Sequence, residues 1–205
     1  MKTIKGQKNT LKKIKLPFHI VLLGQVAAGK DTQADLLNKQ FEFKKVESGK
    51  YWRSLEKENS KAGEMLRKTT SKGLPAPVSL MKQFLLTNLE TLPKNKTLLF
   101  VGNPRLKPEG QLLHKLMTEK KQYYIVLYIG LTDREVLKRS RLRERNLDDR
   151  IYVTRRIAWH KDQVGKTIDY FKHVAPYARI NGNQPVEKVY LDIQKKIYQF
   201  LVSLC

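Results

Sequence analysis

Nine residues, Gly24 to Thr32, reading Gly-Gln-Val-Ala-Ala-Gly-Lys-Asp-Thr, restrict the fold of this chain more than any other stretch. They follow "FHIVLLG" (18–24), a nearly continuous apolar run ended by glycine, which is how a strand buried on both faces reads. They precede "KDTQADLLNKQF", in which Ala34, Leu36, Leu37 and Phe41 recur at roughly helical spacing. Strand, glycine loop, helix is the context in which Gly24, Gly29, Lys30 and Thr32 match the phosphate-binding Walker A spacing. Each residue type has a physical task there. Glycines let the backbone turn its N–H groups inward around phosphates, and a helix beginning near Gly29 adds the positive end of its dipole. Lys30 supplies a point charge for the outer phosphates, and the Thr32 hydroxyl can ligate Mg²⁺.

The rest of the chain repeats the alternation. "FKKV" (43–46), "TLLFVG" (97–102), "YYIVLYIG" (123–130) and "YARI" (177–180) are strand candidates. Helical patterns cover about 50–58, 60–72, 78–91, 108–120, 133–144, 152–174 and 185–203. Strands alternating with helices predict an α/β fold, a parallel sheet wound by right-handed crossovers. A chain of 205 residues suffices for one such domain, expected over 17–205. The formal charge of +22 points to acidic partners such as nucleotides or nucleic acid. Six lysines and no acid precede Pro17, so 1–16 reads as a loosely attached basic arm. No apolar run approaches the roughly 20 residues of a membrane span. The single Cys205 is terminal, which suits a reducing cytoplasm and excludes an internal disulfide.

The loop sequence "GQVAAGKDTQADLL" resembles the adenylate kinase branch of the nucleoside monophosphate kinases, whose loop usually reads G-x-P-G-x-G-K-G-T-Q. The resemblance continues in order to the C-terminal helix. It implies a three-layer P-loop fold with a five-stranded parallel sheet, a helical acceptor-binding part at about 47–78 and a short lid at about 139–150. It further implies that Gly24, Ala27, Ala28, Gly29, Lys30, Asp31 and Thr32 hold ATP, with Thr32 on Mg²⁺. "ESGKYWR" (47–53) is similar to the family's S-T-G-D-x-x-R, so that Ser48 and Gly49 would form the turn meeting the acceptor base. Arg53 would then hold the acceptor monophosphate, while the family's aspartate is Lys50. "SKGLPAP" (71–77) resembles G-x-x-V-P, which carries Pro77 to the acceptor site.

"LLFVGNPRLKPEG" (98–110) is similar to L-D-G-F-P-R-x-x-x-Q-A, retaining Gly102, Pro104 and Arg105. The resemblance makes Arg105 a second clamp on the acceptor phosphate. Two positions depart from it: the aspartate that helps organise the hydrated metal is Val101, and the glutamine that reads the acceptor adenine is Glu109. A carboxylate only accepts, so Glu109 can take the adenine amino proton or equally the N1–H and amino protons of guanine.

In "KRSRLRERNLDDR" (138–150), arginine recurs at 139, 141, 143 and 145, followed by Asp148 and Asp149 in either of two registers. In family terms Arg139, Arg143, Arg145 and Arg156 would surround the transferring phosphoryl group. Arg139 and Gly182 would lie by the donor, and Arg145 and Arg156 would also reach the acceptor. The intervening lid is too short for a four-cysteine zinc site and lacks the cysteines. Guanidinium forks match phosphate oxygens, and phosphoryl transfer needs positioning and positive charge rather than a general base. His114, His160 and His173 lack metal-ligand spacing, and Trp52 and Trp159 read as packing residues.

Two functions remain open on these residues. One is a monomeric nucleoside monophosphate kinase, ATP plus AMP giving two ADP. The other is a nucleotide-responsive protein on the same fold with weak or no turnover, whose basic arm serves RNA or another polyanion. Val101, Lys50, Asp31 and Glu109 motivate the second; retention of the arginines favours the first.

Overall fold

Five strands lie side by side and all run the same way in the computed structural model, which describes residues 12–70, 76–141, 154 and 157–204. They are β1 (His19–Gly24), β2 (Phe43–Val46), β3 (Thr97–Val101), β4 (Tyr124–Gly130) and β5 (Tyr177–Asn181), in the order β2-β3-β1-β4-β5. Every pairing is parallel, from Ile20 opposite Leu99 to Gly24 opposite Ile129. The central strands are apolar throughout because helices cover both faces. Ile20 and Leu22 point to one side, where they join residues of α1 (Lys30–Gln40), α6 (Asp133–Arg141) and α8 (Val186–Ser203). Val21 and Leu23 point to the other, among α4 (Val78–Glu90), α5 (Lys107–Glu119) and α7 (Gly165–Val174). Two short helices, α2 (Ser48–Leu55) and α3 (Lys61–Lys68), follow β2.

The parallel α/β architecture expected from the sequence is therefore present, and the differences are local. Ser48 and Gly49 form the first turn of α2 rather than a turn ahead of it. The long helical pattern at 152–174 is described from residue 157 and carries a wide, π-type turn at His160–Val164 before α7. Leu16, assigned to the arm by its lysine-rich surroundings, is only 1% exposed and belongs to the core. Ile14 pairs with Phe41 beside it, through its N–H to Gln40 O (3.0 Å) and its carbonyl from Glu42 N (2.9 Å). Trp52 is buried as expected, whereas Trp159 is 38% exposed.

His19 ties together the starts of the three central strands. Its Nδ1 accepts from the Leu98 N–H (2.9 Å), which fixes the proton on Nε2, and that N–H donates to Gln122 Oε1 (2.7 Å). Burial, reinforced by the charge of Lys15 and opposed by the Gln122 bond, lowers the ring's pKa below its ordinary 6.5. Above pH 6.5 the ring is neutral in both folded and unfolded chains. Below it, the unfolded chain binds a proton that the folded ring resists, so stability falls with a slope of at most ~1.4 kcal/mol per pH unit. Denaturant midpoints from pH 8 down to 5 are expected to show this loss, and His19→Asn to flatten it; parallel curves would remove His19 as the cause.

Candidate functional site

β1 ends at Gly24 for a steric reason. A Cβ there would stand 2.7 Å from the main-chain oxygen of Ile129 and 3.3 Å from Ala28 Cβ. The chain then turns sharply, with Ala28 N–H donating to Gln25 O (3.2 Å), and enters α1 through Gly29 at φ 79°. Ala27 and Ala28 are buried, while Asp31 and Thr32 are exposed in the first turn of the helix. Ala27 adopts φ 60°, a left-handed conformation that costs an L residue about 1 kcal/mol or more. Replacing Ala27 by glycine is expected to stabilise the protein by ~0.5–1 kcal/mol after the entropy that glycine adds to the unfolded chain, a Tm rise of about 2 °C. An unchanged or lower Tm would show that the loop does not hold Ala27 under strain.

Lys30 folds back over its own loop. Its ammonium donates to Gly24 O (2.9 Å) and Gln25 O (2.8 Å), and its stem lies against the neighbouring strand end. There Gly102 has φ 67°, and a Cβ on it would meet Lys30 Cε at 3.2 Å. The loop after β3 is held from three directions. Gly102 N–H donates to Leu22 O (2.9 Å), Arg105 N–H to Glu109 Oε2 (2.8 Å), and Thr167 Oγ1 to Arg105 O (2.8 Å). Asn103, fully buried before a cis Pro104, donates to Val46 O (3.0 Å) and so fastens this loop to the end of β2. Arg105 itself is exposed, its Nε–H on Gly102 O (2.8 Å).

Glu109 is 3% exposed and caps α5: its Oε2 also accepts from Leu106 N–H (3.2 Å). Burial raises its pKa, and the bonds from Arg105 and Leu106 with the Arg105 charge oppose that rise. The sequence pattern marked Glu109 as a base-reading residue and missed this capping task. Val101, in place of the family aspartate, is 7% exposed at the end of β3.

The remaining expected residues lie on the segments that follow the parallel strands. Ser48 is buried at the start of α2, Arg53 is exposed in its last turn, and Pro77 caps α4. On the other side of the loop, Arg139 pairs with Glu135 (2.7 Å) and donates to Gly182 O (2.9 Å), which brings these two predicted positions into contact. Gly182 is close-packed: a Cβ would lie 2.8 Å from Ile129 Cγ2 and 2.9 Å from Gly130 O. Arg143, Arg145, Arg156 and the aspartates 148 and 149 lie outside the described residues.

Three supports were not legible as functional in the sequence. Gln25 Oε1 accepts from Leu131 N–H, Gln33 donates to Val186 O (2.9 Å), and Asn183 Oδ1 accepts from Thr132 N–H (3.1 Å). The first ties the loop to the segment before α6, the second ties α1 to the start of α8, and the third joins the segment before α6 to the turn before α8. A cleft of 320 Å³ between β4, β5 and α7 touches the loop only through Gln25 and is separate from the Lys30 and Gly102 contact. No helix among the described residues is long and apolar enough to cross a membrane, and no group of three or more His, Cys, Asp or Glu there could hold a metal ion.

A parallel five-stranded sheet, a Walker A loop at the end of its central strand and an arginine loop on the adjacent strand define a P-loop nucleotide-binding protein. The family profile described as Adenylate kinase matches residues 22–175, and the chain belongs to that family. Among curated relatives, the adenylate kinase of Phocaeicola vulgatus is 23% identical over 181 residues, covering 86% of this chain and 96% of its own. That of Methanothrix thermoacetophila is 24% identical over 214 residues (89% and 100% covered), and that of Prochlorococcus marinus 25% over 180 residues (87% and 98%). The protein is a phosphotransferase of the nucleoside monophosphate kinase type.

Proposed function

We propose that this protein transfers the terminal phosphoryl group of ATP reversibly to AMP, giving two ADP, with Mg²⁺ as cofactor. The observation that carries the reading is the contact between Lys30, on the donor loop, and Gly102, which opens the loop bearing Arg105. Two phosphate-seeking groups at adjacent parallel strand ends suit an in-line transfer between two bound nucleotides.

In this reading Lys30 leaves the loop carbonyls for the donor phosphates, which the N–H groups of 24–32 also hold. Arg53 and Arg105 grip the acceptor phosphate, Ser48, Pro77 and Gly102 shape its pocket, and Arg139 with Gly182 flanks the donor base. Arg143, Arg145 and Arg156 add charge around the transferring group. The attacking oxygen belongs to a phosphate that is already anionic, so no general base is required. The residues present fit Mg²⁺: Thr32 and the neighbouring Asp31 are exposed oxygen donors on the first turn of α1, and this ion needs few protein ligands because it keeps waters and takes phosphate oxygens. When bound, it supplies charge neutralisation between the donor phosphates. Glu109 can accept the adenine amino proton through its second oxygen, Oε1, since Oε2 is committed to the α5 cap. We further propose a cytoplasmic monomer.

A coupled assay of ADP formation with ATP, Mg²⁺ and each of AMP, GMP, CMP, UMP and dAMP tests this directly. AMP is expected to be the best acceptor, and excess EDTA to stop turnover. Turnover with GMP alone would overturn the acceptor, turnover in EDTA the cofactor. ATP binding without ADP formation from any acceptor would favour the nucleotide-responsive reading instead.

A further inference from the structure

Far from the phosphate loop, at the opposite pole of the sheet, a second cationic site is assembled by topology alone. β3, β1 and β4 are neighbours and start side by side, so the residues just upstream of each strand converge. Those residues are Lys96, Lys15 and Lys121, and all three line one cleft of 190 Å³. Lys94 and Lys120 stand on the same two loops, and Lys12 and Lys13 lead into the first strand. Lys15 Nζ donates to Lys94 O (2.6 Å), which fixes two of these segments together.

The charge there is uncompensated. No acidic residue lines the cleft, and among the described residues none of Lys15, Lys94, Lys96, Lys120 and Lys121 forms a salt bridge. Elsewhere on the surface lysines do find acids, as Lys45 does with Asp35, Lys161 with Asp133 and Lys172 with Asp169. One further feature suggests a ligand: Tyr123, on the rim, is 63% exposed.

Like charges held together without counter-charge repel, and the strain falls when a polyanion occupies the space between them. The cleft is concave and small, of a size for a phosphate group but below the range typical of pockets that bury a whole small molecule. An exposed aromatic beside a cationic groove is the arrangement that tracks a phosphate backbone while stacking a base. We infer that this pole binds single-stranded nucleic acid, one phosphate lying among Lys15, Lys96 and Lys121 and one base stacking on Tyr123. The site is independent of the catalytic reading, since its residues lie at the other ends of the strands from Gly24 and Gly102.

Fluorescence anisotropy with a fluorescein-labelled 20-nucleotide RNA, and with DNA of the same sequence, tests the inference between 50 and 200 mM salt. The Lys96→Gln/Lys121→Gln double variant is expected to bind at least tenfold more weakly and to flatten the log–log salt dependence by roughly 1.4, two contacts at about 0.7 each. Tyr123→Ala is expected to weaken binding several-fold with the salt slope unchanged. Lys188→Gln/Lys195→Gln on α8 is expected to bind like the unmodified protein, and ADP formation to stay unchanged in every variant. Equal affinity for RNA and DNA would place recognition on the backbone; a preference for RNA would add its 2′-hydroxyls, and both outcomes support the site. An unaffected Lys96/Lys121 double variant would overturn it, as would an equal loss in the α8 control. Binding to phosphatidylserine-containing vesicles with none to either oligonucleotide would also overturn it.

Discussion

Arg105→Ala is expected to lower kcat/KM for AMP about 10²-fold, the scale of losing a charge-assisted clamp worth about 3 kcal/mol on the acceptor phosphate. The loop bearing this side chain is held chiefly through its main chain, the guanidinium adding a bond from Nε–H to Gly102 O. Glu109 holds its main-chain N–H, Thr167 holds its carbonyl, and Asn103, two residues earlier, fastens the loop to the end of β2. An exposed guanidinium leaving such a scaffold should change Tm little. Arg105→Lys is expected to recover only part of the rate, because an ammonium cannot present two parallel N–H donors to one phosphate. Steady-state kinetics with a thermal melt of each variant settles the matter. Activity within tenfold of the unmodified enzyme would remove Arg105 from the reaction.

Gly24→Ala should damage the fold and the site together. The added carbon would press on the main-chain oxygen of Ile129 at 2.7 Å, and a backbone atom in a central strand cannot swing aside as a side chain can. Relief requires β1 and β4 to part at the Gly24–Ile129 pair or the loop to lift from Ala28. Overpacking of this kind costs up to about 3 kcal/mol. For a chain of this size that lowers Tm by roughly 10 °C. The carbonyl that Lys30 rests on belongs to the same residue, so ATP affinity should fall with stability. Calorimetry of the variant checks the first effect and nucleotide titration the second. An unchanged Tm would mean that the strand pair has slack the geometry does not suggest.

What could be read from the sequence follows from how far apart the partners lie. β1, β3 and β4 announce themselves as apolar runs because both faces are covered, a property of each strand alone. β5, at an edge, is apolar mainly at Ala178 and Ile180, so its signal is weaker than that of the central strands. The phosphate loop was legible because its nine residues act on one another. His19 was not, since its partners lie 79 and 103 residues away. Glu109 was visible as an acid on the acceptor loop, but its role as a cap depends on where α5 begins, and sequence leaves helix ends loose by a few residues. Lysine content disguised Leu16 as part of the arm because composition averages over neighbours, whereas burial is decided residue by residue. The three lysines of the far pole were each visible, but only the strand order brings them to one cleft.

The resting position of Lys30 has a consequence for which anions the loop will accept. Its ammonium already satisfies two carbonyls of the loop, so an incoming ligand competes with an internal one and must offer more than two neutral acceptors. A single phosphate already trades these neutral acceptors for charge-assisted bonds to the lysine and the loop N–H groups. A triphosphate, carrying several charged oxygens in a row, draws the side chain away and leaves the N–H groups of the loop to its inner phosphates. Because the lysine must give up its own two bonds to the loop, the advantage of a ligand grows with the number of charged oxygens it brings, which favours a polyphosphate chain.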